Sequence, residues 1–242
     1  MRLPLSAPTL APPKASFPLA VAAEARGTGG PMPWRLTLRS WSMVGLVFVA
    51  GALIFASASS RAAPPGPGPS GVIQGFYGQL LDTMKQAATL GVKGRYQKLE
   101  PVIFSTCDVP FMAKLTIGSA IWTGLTPDKK QTAAKAYGRY LTAVYATRFD
   151  GYSGEKFEVL GEQKITRGML VKSRIVKSNG ETVTINFMVH DNEIGWQIRD
   201  VYETGTISEL ATQRSDFSQI LHTGGIDGLI AALNKKADDL QN

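Results

Sequence analysis

The stretch IGWQIRDVYETGTISELATQRSDF, residues 194–217, decides how the two halves of this chain meet. It begins with the alternation of a β-strand, in which Trp196 and Ile198 share one face, and it ends with helical spacing. The alternation stops at an adjacent Arg-Asp pair. We expect a β-bulge near Asp200, because one extra residue there would return Val201 to the apolar face of the strand.

The helix predicted after this strand carries an arginine within its apolar stripe. The stripe consists of Leu210, Arg214, Phe217 and Leu221. An arginine in such a position needs an acidic partner, or its side chain must extend to solvent. The nearest acidic candidate is Asp200, so the sequence predicts an Asp200–Arg214 ion pair that fixes the C-terminal helices over the sheet edge. The alternative is a solvated Arg214.

Four segments before and within this stretch alternate with a period of two, which is typical of strands. They are residues 156–165, 169–178, 181–191 and 194–202. The Asn-Gly pair at positions 179 and 180 predicts a hairpin between the second and third. One face of each strand is apolar and the other polar, which indicates an antiparallel sheet with one face in need of a cover.

Helical segments on both sides of these strands can supply that cover. The N-terminal ones are predicted over 72–90 with Ser70 as cap, around 96–104 with an interruption at Pro101, from Asp108 to Ile117, and from Pro127 with Thr126 as cap. The C-terminal ones cover 207–221 and 225–240. The predicted fold class is therefore α+β, with helices packed on one curved antiparallel sheet of about four strands.

The first 70 residues differ in composition from the rest of the chain. An uncharged run at 43–56 follows two arginines and precedes small residues, which is typical of a signal peptide cleaved after Ala58. An uncleaved membrane anchor is the alternative. Met32 would give the signal a normal length, so residues 1–31 are either outside the true start or a genuine extension. We therefore expect 1–58 to hold the extension and signal peptide, 59–70 to be a Pro/Gly linker and 71–242 to be a single domain.

The net charge argues against nucleic acid as a partner. The whole chain carries +7, but residues 1–58 hold five basic residues and one acidic residue, so the remainder carries +3. Lysine pairs at 129–130 and 235–236 lie on polar helix faces. Cys107 is the one cysteine and is interpreted as a small buried apolar residue, so an intramolecular disulfide is excluded.

Residues capable of catalysis are sparse. The two histidines, His190 and His222, stand outside any metal-ligand spacing, so no metal or cofactor is predicted. The sequence GYSGE around Ser153 is close to a nucleophile motif, and a Ser153–His190–Asp191 hydrolase is conceivable. However, this motif lies between a helix and a strand, whereas the hydrolase motif requires the order strand, turn, helix. What remains is apolar surface on both layers, which forms either a solid core or a cavity for an apolar ligand.

The order of these motifs resembles the MlaC family of periplasmic phospholipid carriers, the toluene-tolerance auxiliary proteins of ABC transporters. The resemblance covers residues 71–240 and rests on GYSGEKFEVLGE at 151–162, W-x-I-x-D-V at 196–201, R-S-x-F at 214–217 and GGIDGLIAAL at 224–233. Within the family the chain looks closest to the hopanoid-biosynthesis-associated HpnM branch.

The resemblance implies a cone-like fold whose helices and sheet enclose an apolar pocket. It implies a monomeric periplasmic shuttle that passes a phospholipid or hopanoid between an inner-membrane transporter and an outer-membrane complex, without an enzymatic step. The residues expected to line the pocket are Phe111, Leu115, Tyr137, Leu141, Val171, Ile185, Phe187, Trp196 and Ile198. Two alternatives stay open: a small enzyme on a cone-shaped fold, and a transporter accessory subunit that binds no ligand.

Overall fold

A computed structural model describes residues 67–242 of the chain. The helices are α1 (Pro69–Lys85), α2 (Ala87–Thr106), α3 (Val109–Ile117), α4 (Ser119–Thr123), α5 (Pro127–Arg148) and α6 (Glu209–Asp239). The strands are β1 (Lys156–Ile165), β2 (Gly168–Val176), β3 (Thr182–Asn192), β4 (Gly195–Glu203) and β5 (Ile207–Ser208). The predicted extension, start site and signal peptide lie outside the described residues, as does the linker before residue 67.

The five strands form one antiparallel sheet in the order of the sequence, and helices pack against it. This confirms the predicted α+β class. The hairpin between β2 and β3 is present, with Gly180 at a φ of 84°. Pairing of β3 with β4 moves from Val189 opposite Ile198 to Met188 opposite Asp200, so Arg199 is an extra residue. The predicted bulge is therefore confirmed.

The fifth strand was not predicted from the sequence. It is two residues long and pairs with the end of β4, where Glu203 lies opposite Ile207. The connecting turn contains Thr204 at a φ of 50° and Gly205 at a φ of 84°. A positive φ is costly for a residue with a branched Cβ, so Thr204 is held there by the pairing on both sides. This turn places the start of α6 directly after the sheet.

The N-terminal caps of α3 and α5 are those that the sequence predicted, whereas the predicted cap of α1 is not formed. The side chains of Asp108 and Thr126 accept the backbone N–H groups that open α3 and α5, as predicted. Ser70 does not cap α1, which begins at Pro69; its hydroxyl instead donates to Glu162 Oε2 over 2.8 Å. A helix that opens with proline has one fewer N–H to satisfy, so it depends less on a cap.

Two glycines, rather than the proline, interrupt the long helices. Pro101 lies inside α2, whereas the non-helical residue of that helix is Gly91 at a φ of 60°. Gly225, at a φ of 61°, divides α6 where the sequence predicted two separate helices. Within residues 67–242, none of the helices combines the length and apolar character that a bilayer crossing requires.

Candidate functional site

An apolar cavity lies between α1, the C-terminal end of α5 and the inner face of the sheet. Its lining residues are Phe76, Tyr77 and Leu80 from α1, Val144, Tyr145, Arg148 and Phe149 from the end of α5, and Ile175, Ile185, Phe187 and Val201 from β2, β3 and β4. The empty space among them is about 380 Å³, including the opening to solvent. Only a small part of this space is wide enough for a water molecule. The cavity is therefore a set of narrow gaps between apolar side chains.

Five of the eleven residues that line the cavity are aromatic. Phe187 of β3 lies edge-on to Phe76 and Tyr77 of α1, with ring centroids 6.3 and 5.5 Å apart. Tyr145 and Phe149 stack at 5.6 Å. Such contacts combine dispersion with the ring quadrupole and carry no fixed charge. The wall therefore suits an uncharged, apolar ligand.

Few polar groups enter this wall. The hydroxyl of Tyr77 forms a 2.6 Å hydrogen bond with Ser173, and burial raises the pKa of Tyr77 well above its ordinary value. Among the lining residues, Arg148 alone is charged, and its side chain is half-buried. The interior of the cavity thus presents mainly carbon atoms.

A buried carboxyl group lies beside the cavity at the end of β4. Glu203 is 2% exposed, and its Oε1 atom has no hydrogen-bond partner among the described residues. Burial, followed by a hydrogen bond and the charge of Glu209, raises the pKa of Glu203 to about 9. Glu209 also accepts a 2.9 Å hydrogen bond from Gln213, which accepts one of 2.7 Å from Tyr137. A polar chain therefore runs from the helix core to the edge of the sheet.

The two charges at the bulge of β4 bind two different helices. Arg199 donates to Asp108 over 2.8 Å at the N-terminus of α3, and its guanidinium lies 4.3 Å from the ring centre of Phe111. Asp200 accepts hydrogen bonds from the hydroxyl of Ser208 at 2.7 Å and from the N–H of Leu210 at 3.4 Å. Burial raises the pKa of Asp200, and these hydrogen bonds oppose that shift. The bulge thus fixes α3 and the start of α6 to the sheet.

The predicted Asp200–Arg214 ion pair is not formed between the described residues. Arg214 is exposed, and its guanidinium lies against Gly118. The buried face of this part of α6 passes through Gln213 and Phe217, so Arg214 projects beside that face rather than along it. The structure agrees with the alternative, in which the side chain of Arg214 reaches solvent.

The cavity contains two of the nine residues that were expected to line it, Ile185 and Phe187. The other seven lie elsewhere: Tyr137, Leu141, Val171 and Ile198 are buried in the closed core, Leu115 and Trp196 pack against that core, and Phe111 lies under Arg199. The contributions of α1 and the end of α5 were missed. The sequence did signal α1 through the helical spacing of its apolar residues, which include Phe76 and Tyr77. However, residues that line a cavity and residues of a closed core show the same spacing.

The candidate catalytic residues are not brought together. Ser153 precedes β1, whereas His190 is near the far end of β3, so the sheet register separates them by most of a strand. The ring of His190 lies 3.2 Å from the carbonyl oxygen of Arg167. Within residues 67–242, no three His, Cys, Asp or Glu side chains are grouped as metal ligands would be.

The fold and the cavity define a class of α+β protein in which helices and one open sheet surround an apolar space. The sequence model described as MlaC protein matches residues 74–235, and the chain belongs to that family. A solved structure of similar fold is the phospholipid-binding protein from Ralstonia solanacearum in complex with a phospholipid, at a TM-score of 0.61 and 19% identity. That match covers 71% of this chain and 97% of the other.

Proposed function

We propose that this protein is a carrier that binds a lipid in the cavity between α1, α5 and the sheet and transfers it through the periplasm. The apolar cavity is the observation on which the proposal rests. Membership of the MlaC family and the phospholipid bound to the similar solved structure support it. The proposed ligands are a phospholipid or a hopanoid, and the proposed partners are an inner-membrane transporter and an outer-membrane lipid-transport complex.

The physical need for such a carrier follows from the cost of exposing hydrocarbon to water. Each CH₂ group contributes about 0.8 kcal/mol on burial, so a chain of ~16 carbons would cost on the order of 12 kcal/mol in water. Because only a small part of the present space is wide enough for a water molecule, we expect α1 and α5 to move away from the sheet as an acyl chain enters. Burial of the chain then offsets the packing energy that the helices and the sheet give up as they separate.

The proposal is tested by the lipid that accompanies the protein. Protein expressed in a membrane-containing host and purified without detergent is extracted with organic solvent, and the extract is analysed by mass spectrometry. We expect a phospholipid or hopanoid close to one molecule per protein. Protein that carries no lipid, and takes up none from phospholipid vesicles, would contradict the proposal.

A cavity-filling variant locates the ligand. Ile185→Trp places an indole among the lining side chains, so we expect the lipid content to fall at least tenfold. Leu160→Trp adds the same group at an exposed position of β1 and should leave the lipid content unchanged. Partner binding that requires no lipid and survives Ile185→Trp would instead favour an accessory subunit.

A further inference from the structure

The side chain of Glu203 leaves the sheet on the side of the cavity. Residues directly opposite each other in an antiparallel pair project from the same face, and Glu203 lies opposite Ile185, which lines the cavity. Val201, two residues earlier on β4, also lines it. Glu203 therefore extends the inner face of the sheet by one position beyond the apolar wall.

One oxygen of this carboxyl group is left without a partner. Buried polar atoms in folded proteins almost always have a hydrogen-bond partner, from the protein, water or a ligand. Glu203 is 2% exposed, yet its Oε1 atom has none among the described residues. The carboxyl group of Glu203 is also hydrogen-bonded to Glu209. With that bond on Oε2, Oε1 can accept a hydrogen bond from a further group.

The charges around Glu203 indicate which group it can accept. Glu209 faces it from α6 and Arg148 from α5, while Asp200 lies on the same strand. Burial and Glu209 raise the pKa of Glu203 to about 9, so its carboxyl group is neutral at pH 7. A cationic ligand group would gain little from a neutral acid and would be repelled by Arg148. An anionic ligand group would be repelled by Glu209. A hydroxyl group fits the site because it donates one hydrogen bond and carries no charge.

We propose that Glu203 is a polar subsite at the edge of the cavity that accepts a hydrogen bond from a hydroxyl group on the apolar part of the bound lipid. This inference rests on the proposed carrier function and specifies the class of lipid. Two sources share the chemistry: a hydroxylated acyl chain, and a polycyclic lipid with a hydroxylated side chain.

The test compares matched lipids on the full chain. The probes are phosphatidylcholines with a stearoyl chain or a stearoyl chain hydroxylated at carbon 2, 9 or 12, and a polycyclic triterpenoid with and without a side-chain hydroxyl. Each competes with a fluorescent phospholipid for the cavity. A net hydrogen bond contributes about 0.5–1.5 kcal/mol, so at least one hydroxylated probe should bind about threefold to tenfold more tightly than its parent.

Substitutions then assign this preference to Glu203. Glu203→Gln retains a carbonyl oxygen and should retain the preference, whereas Glu203→Leu should abolish it. Glu155→Leu replaces another glutamate that is 2% exposed but precedes β1, three strands away from β4 in the sheet, and it should preserve the preference.

Three outcomes would overturn the inference. The first is that no hydroxylated probe is preferred, which would leave water as the partner of Oε1. The second is that the preference persists in Glu203→Leu. The third is that none of the lipids binds, parents included, which would refute the carrier function as well. The first two leave that function intact, so the two failures are distinguishable.

Discussion

The sheet meets the helices in two ways in this molecule. At the bulge of β4, Arg199 and Asp200 are hydrogen-bonded to the starts of α3 and α6. At the cavity, α1 and the end of α5 face the sheet mainly through apolar side chains with narrow gaps between them. Hydrogen bonds are directional and fix one geometry, whereas one apolar neighbour can replace another. The bulge is therefore the fixed junction, and under the proposed function the cavity side is where the lipid enters.

The largest expected effect comes from a substitution that breaks the fixed junction at the bulge of β4. Asp200→Ala removes the acceptor for Ser208 and for the buried N–H of Leu210, which leaves these donors unsatisfied. We expect the free energy of unfolding to fall by about 3 kcal/mol, measured by urea denaturation. Asp191→Ala, at an exposed position of β3, should change it by less than about 0.5 kcal/mol. A loss below about 1 kcal/mol for Asp200→Ala would contradict the importance of this junction.

The second prediction compares side-chain packing in the closed core with packing at the cavity. Val189 is fully buried opposite Ile198, so Val189→Leu should cost about 1–3 kcal/mol through overpacking. Val201 borders the gaps of the cavity, so Val201→Leu should be neutral or stabilise by up to about 0.8 kcal/mol. Urea denaturation measures both. Equal costs would show that the two sides are packed alike.

The third prediction concerns pH. Because Glu203 has a pKa of about 9 in the folded state and an unfolded value near 4.3, the folded protein binds more protons between these values. The free energy of unfolding should therefore fall as pH rises through this window, by at most about 1.4 kcal/mol per pH unit from this group.

Glu203→Gln removes this titration. Between pH 6 and 8 the stability of the variant should change less than that of the unmodified protein, by on the order of 1.5 kcal/mol, as measured by urea midpoints. Glu155→Gln serves as the matched control and should keep the original slope. Parallel pH profiles for the unmodified protein and Glu203→Gln would refute the raised pKa.

The smallest expected effect is the coupling between Arg199 and Asp108. Both side chains are largely buried, at 19% and 14% exposure, and lie 2.8 Å apart. A double-mutant cycle with Arg199→Met and Asp108→Asn should give a coupling of about 1 kcal/mol, since Asn retains the helix cap. Coupling near zero, with both single variants folded, would mean that the pair adds nothing to the junction.

The sequence predicted the elements better than the site. Alternation identified β1 to β4, and the adjacent Arg-Asp pair located the bulge, because strand periodicity and its interruption are local properties. The Asp200–Arg214 pair failed because a helix stripe cannot distinguish neighbouring positions such as Gln213 and Arg214 at the edge of its buried face.

The position of the cavity could not be predicted from pattern alone. Val171 and Ile185 lie on the same face of the sheet, yet one is in the closed core and the other lines the cavity. Which one meets a gap depends on how α1 and α5 sit above the sheet, a tertiary property. The interaction of Glu203 with Glu209 likewise depends on the short strand β5, whose two residues are too few to give a periodic signal.

The bulge also determines where β4 tolerates a change of length. Before the bulge, the residues of β4 that face the helices have even numbers, as Ile198 does. After the bulge they have odd numbers, as Val201 and Glu203 do. Deleting Arg199 would give β4 the regular register while Val201 and Glu203 kept facing inward, so the main loss would be the ion pair with Asp108. Deleting Tyr202 would instead turn Glu203 to the outer face. The bulge is thus a position at which the strand can lose one residue without changing the wall of the cavity.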